Sequence, residues 1–313
     1  MLLSPTRRVA ALLSCAGLAA LLAGCGSSSN SKDDDNATAS PASGSAVPVV
    51  ASTNVYGDIV ERIGGDRVSV TSIISDPDQD PHSYEANTRN QLALSKAKVV
   101  VENGGGYDDF IDRMLKSNGS SAELINAVKV SGRTAPEGGE LNEHVWYDFP
   151  GVARIADRIA AALGKADPDD AATFTKNAET FKDKLTSLRS KEADIKKEHS
   201  GEAIGITEPV PLYLTEASGL VNKTPEDFSE AIEEGDDVSA KVLQETLALY
   251  SDKQVKALVY NEQTSGPQTE KVENAAKKAG IPVVPVTETL PEGKDYLGWM
   301  TDNVDALASA LDK

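Results

Sequence analysis

Sulfur and imidazole are scarce in this chain, with two cysteines and three histidines among 313 residues. Both cysteines, Cys15 and Cys25, lie at the extreme N-terminus. A disulfide framework and a thiolate metal site are therefore excluded for the remainder of the chain. Positive charge is also short: 31 Lys and Arg stand against 49 Asp and Glu, a net charge of −18. That balance argues against nucleic acid as a partner and suits a soluble protein that meets cations. The apolar run Val9 to Ala23 falls short of the ~20 residues that span a bilayer. Several catalytic signatures are missing too. There is no His-Glu-x-x-His helix and no Gly-x-Ser-x-Gly elbow, and Gly104-Gly105-Gly106 lacks the spacing of a phosphate loop. It reads more simply as a tight strand-to-helix turn.

What is present begins with an export pattern. Arg7 and Arg8 precede the run Val9 to Ala23, the order expected of a secretory signal peptide. The run ends Leu22-Ala23-Gly24-Cys25, which resembles the lipobox of bacterial lipoproteins. That resemblance implies cleavage before Cys25, lipidation of its thiol and a position on the cell membrane facing outside the cytoplasm. Residues 1–24 are thus expected to be a signal peptide. Residues 25–46 are expected to be a lipidated cysteine with a disordered Ser-, Asp- and Pro-rich tether, too polar to offset its ordering entropy. The acidic run Asp33 to Asp35 reads as a solvated part of that tether.

From Val47 onward, β-branched runs alternate with helical patterns, the mark of α/β units built on parallel strands. Strands are predicted at Val47 to Ser52, Val68 to Ile74, Val99 to Val101 and, more weakly, Leu124 to Val130. The second half repeats the theme at Ala203 to Thr207, Val255 to Tyr260 and Ile281 to Val286, with a final helix over Tyr296 to Leu311. Between the halves, Asp167-Pro168 looks like a helix start. Phe174, Ala178, Phe181, Leu185, Leu188 and Ile195 then fall on one stripe up to about His199, uninterrupted by Gly or Pro. Such a helix, ~45 Å long at 1.5 Å per residue, would be a rigid connector rather than a hinge. The expected architecture is two (βα) lobes with parallel sheets, at 47–165 and 201–313, joined by a helix over 166–200.

The three histidines can be weighed singly. His199, beside Lys196 and Lys197 at the end of the long helix, is explained by the helix dipole. His82 and His144 lie in loops near the ends of predicted strands, where α/β folds place their clefts. Imidazole suits zinc, manganese and similar ions, and matching loops of the second half should supply further ligands. Those loops carry Thr207-Glu208-Pro209 and Thr287-Glu288-Thr289. Either glutamate taken alone would be read as a solvated loop residue.

Taken together, Asp80-Pro81-His82-Ser83-Tyr84-Glu85, Val99 to Gly104 and His144-Val145-Trp146-Tyr147-Asp148 resemble the zinc/manganese solute-binding lipoproteins of bacterial metal ABC importers. The resemblance covers nearly all of 47–313. It implies a monomeric, non-enzymatic protein that carries Zn2+ or Mn2+ as transported ligand to a membrane permease. The metal ligands it implies are His82, His144, Glu208 and Glu288. Glu288 departs from the aspartate usual at its position. The stretch Ser131 to Asn142 lacks the histidines that zinc-specific members often carry. Two other classes can be set beside this one. A secreted metallohydrolase would need an open water position on the metal, which four protein ligands leave little room for. A surface adhesin lipoprotein would explain the anchor but not candidate ligands in both halves.

Overall fold

The protein is described by a computed structural model covering residues 46–313, apart from Pro77, Asp78, Asp80, Ser83 and Ala86. The signal peptide, Cys25 and nearly all of the tether therefore lie outside the described residues. The first half contains β1 (Val47–Thr53), α1 (Asn54–Gly64), β2 (Val68–Ile74), α2 (Thr88–Lys96), β3 (Val99–Glu102), α3 (Phe110–Asn118), β4 (Glu123–Asn126), α4 (Ala127–Ser131) and α5 (Phe149–Ala166). The long helix is α6 (Ala171–His199). The second half contains β5 (Ala203–Ile206), α7 (Leu212–Ala217), β6 (Val221–Asn222), α8 (Glu226–Glu233), α9 (Ala240–Ser251), β7 (Leu258–Asn261), α10 (Pro267–Ala279), β8 (Val283–Val286) and α11 (Tyr296–Leu311).

Each half forms a parallel four-stranded sheet, ordered β2-β1-β3-β4 in the first and β6-β5-β7-β8 in the second. The central strands β3 and β7 are buried along their whole length, as expected where helices cover both faces. Edge strand β2 instead alternates until its last two residues. In both sheets the strand order reverses beside the first strand, so the carboxyl ends of the strands frame a crevice.

Every apolar residue of the stripe read along α6 is buried. The helix packs against α1 and α5 of the first half and α11 of the second, and one continuous apolar core includes residues of both halves. Its start differs from expectation. Pro168–Asp170 forms a 3-10 turn before α6 begins, with no side-chain cap. The Asp167 carboxylate pairs with Arg67 at 3.1 Å instead, and Asp170 pairs with the same guanidinium at 2.5 Å. The weak strand Leu124 to Val130 also divides. It stops at Asn126, whose Oδ1 accepts from the Lys129 N–H at 2.9 Å and caps α4.

The stripe has one long step, from Leu188 to Ile195, and Glu192 fills it. Its side chain is buried, and desolvation pushes its carboxyl up to about 8 from the ordinary 4.5. The folded state thus holds a proton that the unfolded chain releases between those two values. Stability from this group is full at low pH and is lost as pH rises towards 8. Glu192→Leu should raise the melting temperature and flatten this slope, by about 1–3 kcal/mol at pH 8. Thermal melts from pH 5 to 9 would check it.

The halves are also stitched directly across the crevice. Asn142 Nδ2 donates to Pro209 O at 3.0 Å, and Tyr213 OH donates to Asn142 O at 2.6 Å. Tyr147 OH donates to Thr287 O at 2.9 Å. Asn54 and Leu290 exchange two hydrogen bonds of 2.9 Å. With a long helix and these bonds in place, ion binding should change the radius of gyration very little. Solution scattering with and without ion tests this, and a marked compaction would contradict the rigid connection.

Candidate metal centre

Three of the four residues singled out from the sequence lie in segments that follow strands, and His144 lies in the loop between α4 and α5. His82 follows β2, His144 precedes α5, Glu208 follows β5 and Glu288 follows β8. Three come together. His82, His144 and Glu288 offer ligand atoms that all lie within 4.8 Å of one another. His144 Nε2 is 3.9 Å from Glu288 Oε2. Glu208 is in none of the groups assembled this closely among the described residues. It joins through Asn261, whose Nδ2 donates to Glu208 Oε2 at 2.5 Å and to Glu288 Oε1 at 2.8 Å.

His144 is buried yet held with one ring nitrogen unbonded. Its side chain is 0% exposed. Asn142 Oδ1 accepts from the His144 backbone N–H at 3.0 Å and is therefore an acceptor for the ring Nδ1, 2.8 Å away. A proton held on Nδ1 leaves the lone pair on Nε2, the atom that faces the carboxylates. Nε2 is buried without a hydrogen-bond partner. Burial, then the neighbouring His82, hold this imidazole well below its usual range, so it is neutral and able to coordinate. The rings of His82 and Trp146 pack edge-on at 5.0 Å, against Tyr107 and His144 respectively.

The Glu288 turn is clamped by Gln263, whose Oε1 accepts from the backbone N–H groups of Glu288 at 2.5 Å and Thr289 at 3.1 Å. Thr264 donates to Glu208 Oε2, and Thr207 Oγ1 accepts from the Asn261 N–H at 2.9 Å. Asn261 ends β7, which lies between β5 and β8, so one amide can orient carboxylates from both neighbours. The sequence reading missed Asn261 and Gln263. The available signal was that Asn261 closes the apolar strand lying centrally in the second half and Gln263 follows it by two residues.

Glu233, at the end of α8, was missed as well. Its Oε1 lies 3.5 Å from His144 Nε2, and its carboxyl is raised well above the usual range by burial and then by Glu143, Glu208 and Glu288. The glycine run behaves as read from the sequence. Asp108 accepts from the N–H groups of Asn103 and Gly104 at 2.6 and 2.8 Å, occupying donors that a phosphate would need. Gly104 has φ +75°, and a Cβ there would lie 2.0 Å from Asn126 Nδ2. His199 stands apart, paired with Glu202 at 3.3 Å and Asp312 at 3.4 Å.

Two parallel α/β sheets on a long helix, with imidazoles from one half and carboxylates from the other, define the class of two-lobed ion-binding proteins. The fold is that of the periplasmic zinc binding protein TroA from Treponema pallidum, with a TM-score of 0.71 at 20% identity over 85% of this chain and 99% of that one. A solute-binding protein, FpvC from Pseudomonas aeruginosa, solved with Mn2+, matches at a TM-score of 0.71 and 22% identity over 85% and 98%.

The chain belongs to the family of zinc-uptake complex component A, periplasmic, which it matches over residues 49–310. Among curated relatives, the manganese-binding lipoprotein MntA of Bacillus subtilis (strain 168) is 28% identical over 308 residues, 93% of this chain and 95% of that protein. The manganese ABC transporter substrate-binding lipoprotein scaA of Streptococcus gordonii is 27% identical over 313 residues, again 93% and 95%. The expected family and fold are thus borne out, and the chain is a substrate-binding component of a transport system rather than an enzyme.

Proposed function

We propose that this protein captures a divalent transition metal ion, Zn2+ or Mn2+, outside the cytoplasm and delivers it to the membrane permease of an ABC importer. The observation that carries the reading is the approach of His82, His144 and Glu288, drawn from both halves, within 4.8 Å. Glu208 completes the set from the partner position beside Asn261. Two imidazoles and two carboxylates form a borderline-to-hard donor set that takes zinc or manganese and disfavours copper(I), which prefers sulfur. The relatives' names, manganese-binding among them, support the same cargo.

The protein acts as a monomer held at the membrane by a lipid on Cys25. Among the described residues no helix is long and apolar enough to cross a membrane. Cys25→Ser should release the protein from the membrane or block its processing. Elemental analysis of protein purified without added metal tests the main reading. About one equivalent of zinc or manganese supports it, and protein that neither contains nor takes up either ion sinks it.

A further inference from the structure

His82 belongs to two groups at once. Besides the group with His144 and Glu288, it joins Glu143 and Glu233 in a second, and the ligand atoms of that group also lie within 4.8 Å of one another. His82 Nε2 is 3.9 Å from Glu143 Oε1. The two groups are nested in depth. His82, Glu143 and Glu233 line a cleft of about 760 Å³, whereas His144, Glu208 and Glu288 do not reach its wall. The side chains of the outer group are 24%, 13% and 12% exposed, against 0% for His144 and 6% for Glu288. An ion entering from solvent meets the outer group first.

The two groups also touch. Glu233 Oε1 lies 3.5 Å from His144 Nε2, and each of these buried atoms lacks a hydrogen-bond partner. The outer carboxylate and the inner imidazole thus point into the same gap. Around them the cleft is lined by further carboxylates, Glu140, Glu226, Glu230 and Glu234, and among the described residues by no lysine or arginine. A cleft of one sign, walled by protein, concentrates counter-ions at its mouth and speeds their arrival.

We propose that His82, Glu143 and Glu233 form an outer station for the divalent ion, from which it passes to the inner site by ligand exchange. This rests on the inner site proposed above. One imidazole nitrogen holds one ion, so the stations exchange a single ion through His82 rather than filling independently. Glu143 and Glu233 are traded for His144 and Glu288 as the ion sheds its remaining waters. The outer set, one nitrogen and two partly buried carboxylates on the cleft wall, holds the ion loosely. The inner set holds it in a dry pocket with a second imidazole.

The test is stopped-flow transfer of Zn2+ from an indicator dye to chelator-stripped protein, with equilibrium affinity from the same competition. The double variant Glu143→Gln, Glu233→Gln should load Zn2+ at least about tenfold more slowly. Its affinity should fall far less than that of His144→Ala. Glu140→Gln, Glu230→Gln removes two mouth charges outside the station. It should slow loading only at low ionic strength, while the slowing in the station variant persists in high salt. His144→Ala should retain one weak Zn2+ site, which adding Glu143→Gln and Glu233→Gln removes. Unchanged loading in the station variant would overturn the proposal, as would a loss of affinity equal to that of His144→Ala. If instead His144→Ala binds Zn2+ as the unaltered protein does, the inner site itself fails. Circular dichroism on each variant separates these outcomes from misfolding.

Discussion

His144→Ala is expected to raise the dissociation constant for Zn2+ or Mn2+ by more than about a hundredfold. Groups that only orient a metal ligand change affinity by ~10–100-fold when removed, so loss of the ligand itself should exceed that. The geometry singles out this residue. Asn142 fixes its ring through Nδ1, and Nε2 sits 3.9 Å from Glu288 Oε2 and has no hydrogen-bond partner. No water can replace it readily, because the side chain is fully buried. Asn142→Ala should fall between wild type and His144→Ala, since it frees the tautomer without removing the ligand. His199→Ala should leave binding intact, its ring being engaged by Glu202 and Asp312. Competition against an indicator measures all three. Wild-type affinity in His144→Ala would remove the site from this part of the molecule.

The second large effect is on stability. An ion that binds only the folded state stabilises it by ~2.7 kcal/mol at a hundredfold excess over the dissociation constant. Melts with and without ion should show this, and His144→Ala should abolish most of it. The gain should shrink as pH falls, for a reason the structure refines. A free imidazole titrates at ~6.5. Burial holds the His144 imidazole below that range, so it is not the first group to resist. Glu233 and Glu143 are instead raised by burial and by neighbouring carboxylates. A cation bound beside these carboxyls favours their charged forms, so binding releases protons and acid favours the ion-free form. Calorimetry in buffers of different ionisation enthalpy should register proton release on binding. A stabilisation independent of pH would contradict this account.

The elements were legible where burial imposed a period. The α6 stripe was readable because its apolar residues recur every three or four positions, and the one long step marked a buried carboxyl rather than a surface residue. The strands Val68 to Ile74 and Val99 to Val101 were visible as β-branched runs. Asn126 was harder. Its cap for α4 sits inside an apolar run that alternates like a strand. His82 and His144 could be found because histidine is rare here and both lie in loops outside the regular elements. Glu233 could not. The strand before it, β6, has two residues, and the helix that carries it is one acidic stretch among several. Sheet order supplies the missing signal: β6 flanks β5 as β2 flanks β1, so the segments after them correspond. One delivers His82 to the cleft and the other Glu233.

The repeated strand order also bears on how cargo leaves. In the proposed set each lobe owns two ligands, so neither holds the ion alone and the ion rivets one lobe to the other. Coordination bonds of ~2.0–2.2 Å tolerate little stretching. Parting the cleft edges by roughly one bond length would strip the ion of half its donors while both sheets stay intact. Of the hydrogen bonds resisting that parting, Asn142 to Pro209 lies on the cleft wall, and Tyr147 to Thr287 ends one residue before Glu288. A membrane partner gripping both lobes could therefore unload the protein by leverage, with no competing chelator and no unfolding.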